Sequence, residues 1–132
     1  MIVVDASMVF AALTGVGEDA TWAESVLASS DLGAPHHMPG EVANVLRRHE
    51  LARLLSPEVT AFAHAELLAL PVALYPYAPC ADRAWALRSN VTTPDAWYVA
   101  LAELLDAPLA TLDRPLSRAS GPRCGFVLPP AG

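Results

Sequence analysis

The sequence predicts an α/β fold: a parallel sheet covered on both faces by helices. Two observations carry that expectation. The chain opens on Ile2-Val3-Val4, a β-branched run with no polar alternation that ends abruptly at Asp5, as in a strand buried on both faces. Further short apolar runs then alternate with helical patterns along the whole chain. One domain spanning residues 1–132 is expected, long enough for a proper core.

After Asp5, residues 6–13 read as a first helix, ended near Thr14-Gly15-Val16-Gly17. In residues 18–30, Trp22, Ala23, Val26 and Leu27 recur at helical spacing and give a second. Asp31-Leu32-Gly33-Ala34-Pro35 is a weak second strand. Pro39-Gly40-Glu41 opens a third helix, with Val42, Val45, Leu46 and Leu51 facing inward. Ser56-Pro57-Glu58 starts a fourth, with Ser as cap and Pro at the first position, running to about Ala69. Pro71 to Tyr75 reads as a third strand and residues 79–89 as a fifth helix. Thr93-Pro94-Asp95 opens a sixth helix whose body, Ala96 to Leu105, is apolar nearly all round and should be buried. Residues 108–112 form a fourth strand ending at Asp113, Arg114 to Arg118 a short helix, and Gly125 to Leu128 a last strand, while the Pro-Pro-Ala-Gly tail should fray.

Composition excludes several chemistries. The formal net charge is −6, and all eight basic residues are arginine. Without lysine there is no phosphate-binding P-loop and no Schiff-base enzyme. Cys80 and Cys124 make no C-x-x-C pair, so ordinary thiols in a reducing compartment are expected. No apolar run is long enough for a membrane span, and the N-terminus is a poor signal peptide. A cytoplasmic protein is expected.

Four of the fourteen acids share a special placement. Asp5 and Asp113 each follow an apolar strand directly, and Glu41 and Asp95 each sit in the first turn of a helix. In a parallel sheet, helix starts and strand carboxyl ends lie at one edge, where ligands bind in open α/β folds. The plainest reading of any one of them alone is a helix cap. Gathered together they repel, and a hard divalent cation, Mg²⁺ or Mn²⁺, is the natural neutraliser. Such a site suits phosphodiester hydrolysis.

The chain resembles the PIN domains, specifically the VapC type of toxin ribonuclease. The resemblance rests on Ile2-Val3-Val4-Asp5-Ala6-Ser7, on Glu41-Val42-Ala43-Asn44-Val45-Leu46-Arg47-Arg48, on Thr93-Pro94-Asp95 through Glu103, and on Thr111-Leu112-Asp113-Arg114-Pro115-Leu116. Each is short; the four in this order are specific. Pro115 departs from the family pattern at a harmless position. The resemblance implies a three-layer α/β/α fold with a central parallel five-stranded sheet and a Mg²⁺-dependent endoribonuclease. It maps an acidic quartet onto Asp5, Glu41, Asp95 and Asp113, with metal held chiefly by Asp5, Asp95 and Asp113. Ser7 falls at the family's hydroxyl, and Asn44, three residues after Glu41, is expected to orient that carboxylate or a metal water. A VapB-like antitoxin and a homodimer are implied as well.

An acidic protein binds RNA poorly in general, so Arg114 and Arg118, with Arg88, are the candidates to offset that locally. Metal binding by His36-His37 is not expected, and Trp22, Trp85 and Trp97 read as core or dimer contacts. Two competing readings remain: a non-catalytic PIN-fold interaction module, and a phosphohydrolase with Asp5 as nucleophile. The latter lacks both a lysine and an acid at position 7.

Overall fold

In a computed structural model, which describes residues 1–131, five strands form one parallel sheet. They are β1 (Ile2–Val4), β2 (Leu32–Pro35), β3 (Val72–Tyr75), β4 (Leu109–Ala110) and β5 (Phe126–Val127), in the order β3-β2-β1-β4-β5. The helices are α1 (Ala6–Thr14), α2 (Ala20–Ser29), α3 (Met38–Leu51), α4 (Pro57–Ala69), α5 (Ala81–Ala86), α6 (Thr93–Leu104) and α7 (Arg114–Arg118), with a 3-10 turn at Ala78–Cys80.

The sheet is organised around β1. Val3 and Val4 are fully buried, as their unbroken apolar run requires. Val3 lies opposite Gly33 on one side and Leu109 on the other. The chain winds outward from β1 to β2 and β3, then returns past β1 to β4 and β5. Right-handed crossovers place the helices of the two halves on opposite faces. Accordingly α1 packs with α2, α3 and α4, while α6 lies against β1, β2 and β4 and packs with α5. The expected three-layer α/β/α arrangement is what forms.

Local chemistry explains most boundaries. Ser56 caps α4, its hydroxyl accepting from the Val59 amide at 3.2 Å. Gly15 ends α1 in the left-handed region (φ 71°), its N–H donating to the Ala11 carbonyl. Gly33 is needed inside β2 because a Cβ there would meet Met1 Sδ at 3.1 Å and a Tyr75 ring carbon at 3.3 Å. The body of α6 is buried as expected: Ala96, Val99, Leu101 and Ala102 have no exposed surface.

Several expectations are corrected. The helix read over residues 79–89 divides into the 3-10 turn and α5. α5 stops at Ala86, and Leu87 and Arg88 donate only three residues back, to Ala84 and Trp85, tightening the end into a turn. β4 and β5 are two residues each, shorter than the apolar runs around them. Leu51, expected to face inward, is 65% exposed, and Glu103, which a helix-face position alone would leave to solvent, is held by Arg83 at 2.6 Å and by the Arg123 amide at 2.8 Å. The tail expected to fray begins with a buried Pro129, whose carbonyl accepts from Arg114 at 2.7 Å. Gly132 lies outside the described residues. Among the described residues, no helix is long and apolar enough to cross a membrane.

Candidate active site

The direction of winding reverses between β1 and β4, so the loops beyond their carboxyl ends diverge and leave a crevice. Asp5 follows β1 there and caps α1. Its Oδ1 accepts from the Ser7 hydroxyl at 2.6 Å and from the Met8 amide at 3.1 Å. Its Oδ2 accepts from the hydroxyl of Thr111, a fully buried residue just after β4. The same Thr111 oxygen accepts from the Asp113 amide at 2.9 Å, and Ser7 Oγ accepts from the Leu112 amide at 3.2 Å. Two corners distant in sequence are thus stitched together by hydroxyls. Asp113 caps α7, with Oδ1 accepting from the Leu116 amide at 3.0 Å. The capping role read for each acid alone is therefore real for these two, and it fixes their carboxylates at the crevice.

Asp95 is half-buried in the first turn of α6. Glu41, in the first turn of α3, accepts from the Tyr98 hydroxyl at 2.6 Å through Oε1. The same Oε1 lies 3.3 Å from Nε2 of His37. Tyr98 is almost wholly buried, and burial together with Glu41 pushes its phenol far up, so it serves only as a neutral donor.

The four acids share one electrostatic neighbourhood. Burial pushes Asp5 up to about 6, against the pull of its bonds from Ser7, Thr111 and Met8, and the charge of Asp95 adds to the rise. Asp95 is also raised, first by burial and then by the charges of Asp113 and Glu41, while the Thr92 hydroxyl pulls it down. The chain has no lysine, and neither ion pair among the described residues brings an arginine to the four. A set of carboxylate oxygens short of positive charge fits a hard divalent cation in donor type and in charge.

The acids do not form a closed cage. Among the described residues, no three of His, Cys, Asp and Glu are grouped tightly enough to hold an ion. Both oxygens of Asp5, Oδ1 of Asp113 and Oε1 of Glu41 accept from protein donors, which fixes their orientation. A concavity of about 200 Å³ opens beside Asp95 and Asp113, walled by Asn90, Thr92, Val91 and Leu116. A cavity of about 430 Å³ beside Glu103, Arg123 and Cys124 lies at the far end of α6, away from these acids.

The remaining candidates are placed less evenly. Ser7 binds Asp5 directly. Asn44 is exposed on α3, and the side chains that touch Glu41 are Tyr98 and His37 instead. Arg114 is half-buried and bonded to the Pro129 carbonyl, whereas Arg118 is exposed. The two line a cavity of about 380 Å³ with Glu18 and Asp19. Arg88 sits over the ring of Trp85, 4.5 Å from its centre, and Trp85 is 61% exposed rather than in the core.

Three residues escaped the sequence reading. Thr111 was visible as a hydroxyl in an apolar strand two residues before Asp113. His37 stands four residues before Glu41, a spacing that brings side chains together on a helix. Tyr98 gave no signal of its partner, because Glu41 is 57 residues away.

A PIN-domain family model matches residues 2–122. Ribonuclease VapC1 of Mycobacterium tuberculosis is 44% identical over 130 residues, covering 96% of each chain. Among solved structures, M. tuberculosis VapC20, described as a toxin that cleaves the sarcin–ricin loop, superposes with a TM-score of 0.70 at 20% identity. That match covers 89% of this chain and 93% of the other. VapBC2 from Rickettsia felis, solved with a DNA fragment of its promoter, gives a TM-score of 0.69 at 11% identity, covering 98% of this chain and 100% of that one.

Proposed function

Because the chain belongs to the PIN-domain family, with VapC ribonucleases as its relatives, we propose that it is a Mg²⁺-dependent endoribonuclease and the toxin of a toxin–antitoxin pair. What supports this reading is a shared electrostatic neighbourhood beyond the carboxyl ends of β1 and β4: after burial, Asp95 is raised by the charges of Asp113 and Glu41, and Asp5 by the charge of Asp95, with no arginine among the described residues paired to any of the four. Mg²⁺, or Mn²⁺ in its place, would be held chiefly by Asp5, Asp95 and Asp113, and supplies Lewis acidity and a more acidic water.

The chain's own residues do the positioning. Ser7 and Thr111 lock the Asp5 carboxylate in one rotamer and tie it to the Asp113 corner. Tyr98 occupies one oxygen of Glu41, which leaves the other to orient the attacking water and accept its proton. Water attacks the RNA phosphorus in line, its proton passing to Glu41, and the P–O3′ bond breaks to leave a 5′-phosphate and a 3′-oxygen that takes a proton from solvent to depart as the hydroxyl. In this reading Arg118 and Arg114 meet the RNA backbone at the rim, and the reaction takes place in the cytoplasm.

A VapB-like antitoxin is the proposed partner, as the two-component name of the R. felis neighbour suggests. α3, α4 and the turn between them expose Leu51, Leu54, Phe62 and Leu68, each at least 65% exposed, an apolar surface that calls for cover by antitoxin or by a second copy in a homodimer.

The test is cleavage of RNA with Mg²⁺ by metal-repurified protein. The reading expects activity that chelation with EDTA removes and Mg²⁺ restores, and that Asp5→Asn lacks while its circular dichroism is unchanged. An Asp5→Asn protein as active as the wild type overturns it. The competing reading, a PIN fold kept for binding alone, expects no Mg²⁺-dependent cleavage at all.

A further inference from the structure

His37 lies outside every stretch that carries the family resemblance, yet it touches both acid-bearing helices. It immediately precedes α3, and its ring stacks on Trp97 of α6, with centroids 4.3 Å apart and planes 4° from parallel. Its Nε2 is 3.1 Å from the carbonyl oxygen of Pro94, the residue before Asp95. A carbonyl only accepts, so Nε2 carries the proton and donates. Beside the same N–H, at 3.3 Å, lies Oε1 of Glu41. Nδ1 is buried without a partner among the described residues, which disfavours a second proton there. Burial pushes the imidazole down, in the same direction.

We propose that His37 is a positioning residue, tying the first turn of α6 to Glu41 through Nε2–H and so holding Glu41 in register with Asp95. Tyr98 is the hydrogen-bond donor to the same oxygen, which His37 Nε2 meets as a 3.3 Å contact, and the stack on Trp97 fixes the plane in which the imidazole points. One nitrogen thus sets the distance between two acids that reach the crevice from opposite faces of the sheet. The inference rests on the ribonuclease reading and adds a residue to it.

His37→Phe keeps a ring on Trp97 and removes the donor; His37→Gln loses the ring and keeps an N–H. The proposal expects kcat to fall about 10- to 100-fold in His37→Phe, with KM within about twofold, since the loss is of geometry rather than of RNA binding. His37→Gln should recover most of that loss. In a Glu41→Gln background His37→Phe should add little further loss, because the two act as a unit. A His37→Phe protein with wild-type kcat, or a His37→Gln protein no better than His37→Phe, overturns the proposal. Should His37→Phe fail to fold, the imidazole ¹⁵N shifts of the wild-type protein decide: the Nε2–H form supports the bridge and the Nδ1–H form overturns it. A wild-type chain that cleaves no RNA with Mg²⁺ instead defeats the ribonuclease reading, and the ¹⁵N shifts then judge the bridge by itself.

Discussion

Asp5 shows how one carboxylate serves both fold and chemistry. Its raised pKa means that the folded, metal-free chain binds a proton there more tightly than the unfolded chain does. Between the ordinary aspartate value and about 6 the native state holds more protons, so stability from this group falls as pH rises through that window. The amount is roughly 3 kcal/mol, from about 1.4 kcal/mol per pKa unit. Thermal melts of metal-free protein should therefore show Asp5→Asn equal to or more stable than wild type at pH 7, an advantage that disappears toward pH 4. The same variant should lose at least about 100-fold in cleavage rate. Thr111→Val is the complementary case. It leaves the Asp113 amide and one Asp5 oxygen without their partner and should cost about 1–3 kcal/mol in denaturant melts, with a drop in kcat. Asp5 and Asp113 were legible in the sequence because each ends an apolar run. Thr111 was present in the quoted motif, but its role depends on a contact across 106 residues.

At the level of elements, the strands and helices were readable wherever the chain carried its own punctuation. Ser56-Pro57-Glu58 marks α4 through a local cap and proline, while Thr93-Pro94-Asp95 marks α6 through its proline alone, the cap position falling on Thr92 with no side-chain cap bond. β2 was weak in sequence because a buried strand of four residues is defined by its neighbours. Leu32 and Gly33 are strand because β1 and β3 flank them. The break between the 3-10 turn and α5, and the tether of Pro129 to Arg114, are tertiary facts with no local sign. A test at this scale is Ser56→Ala, which removes the cap bond to Val59. It should lower stability by about 1 kcal/mol and leave cleavage unchanged, since α4 starts away from the acids. Loss of activity equal to that of an acid variant would mean that α4 takes part in the site.

For the molecule as a whole, the acidic balance and the exposed leucines point to opposite surfaces with different tasks. A net charge of −6 opposes binding to polyanions, so in the proposed mechanism RNA contact would draw on local arginine and bound cation, and cleavage should weaken as salt rises. The apolar surface on α4 is the place to test the partner. Phe62→Glu should reduce recovery of co-expressed antitoxin, or of dimer in size-exclusion chromatography, while cleavage by the isolated chain persists. Unchanged recovery of both would assign the partner to another surface.

The hydroxyl bridge from Thr111 to Asp5 also sets an order of events during synthesis. Asp5 is made 106 residues before Thr111, the partner that bridges it to the Asp113 corner. A nascent or prematurely terminated chain lacks β4, the bridge and one of the four acids, and so has no assembled site to turn against the RNA around it. A site whose two corners are synthesised so far apart stays unassembled through that interval, which leaves time for the partner proposed above to be waiting.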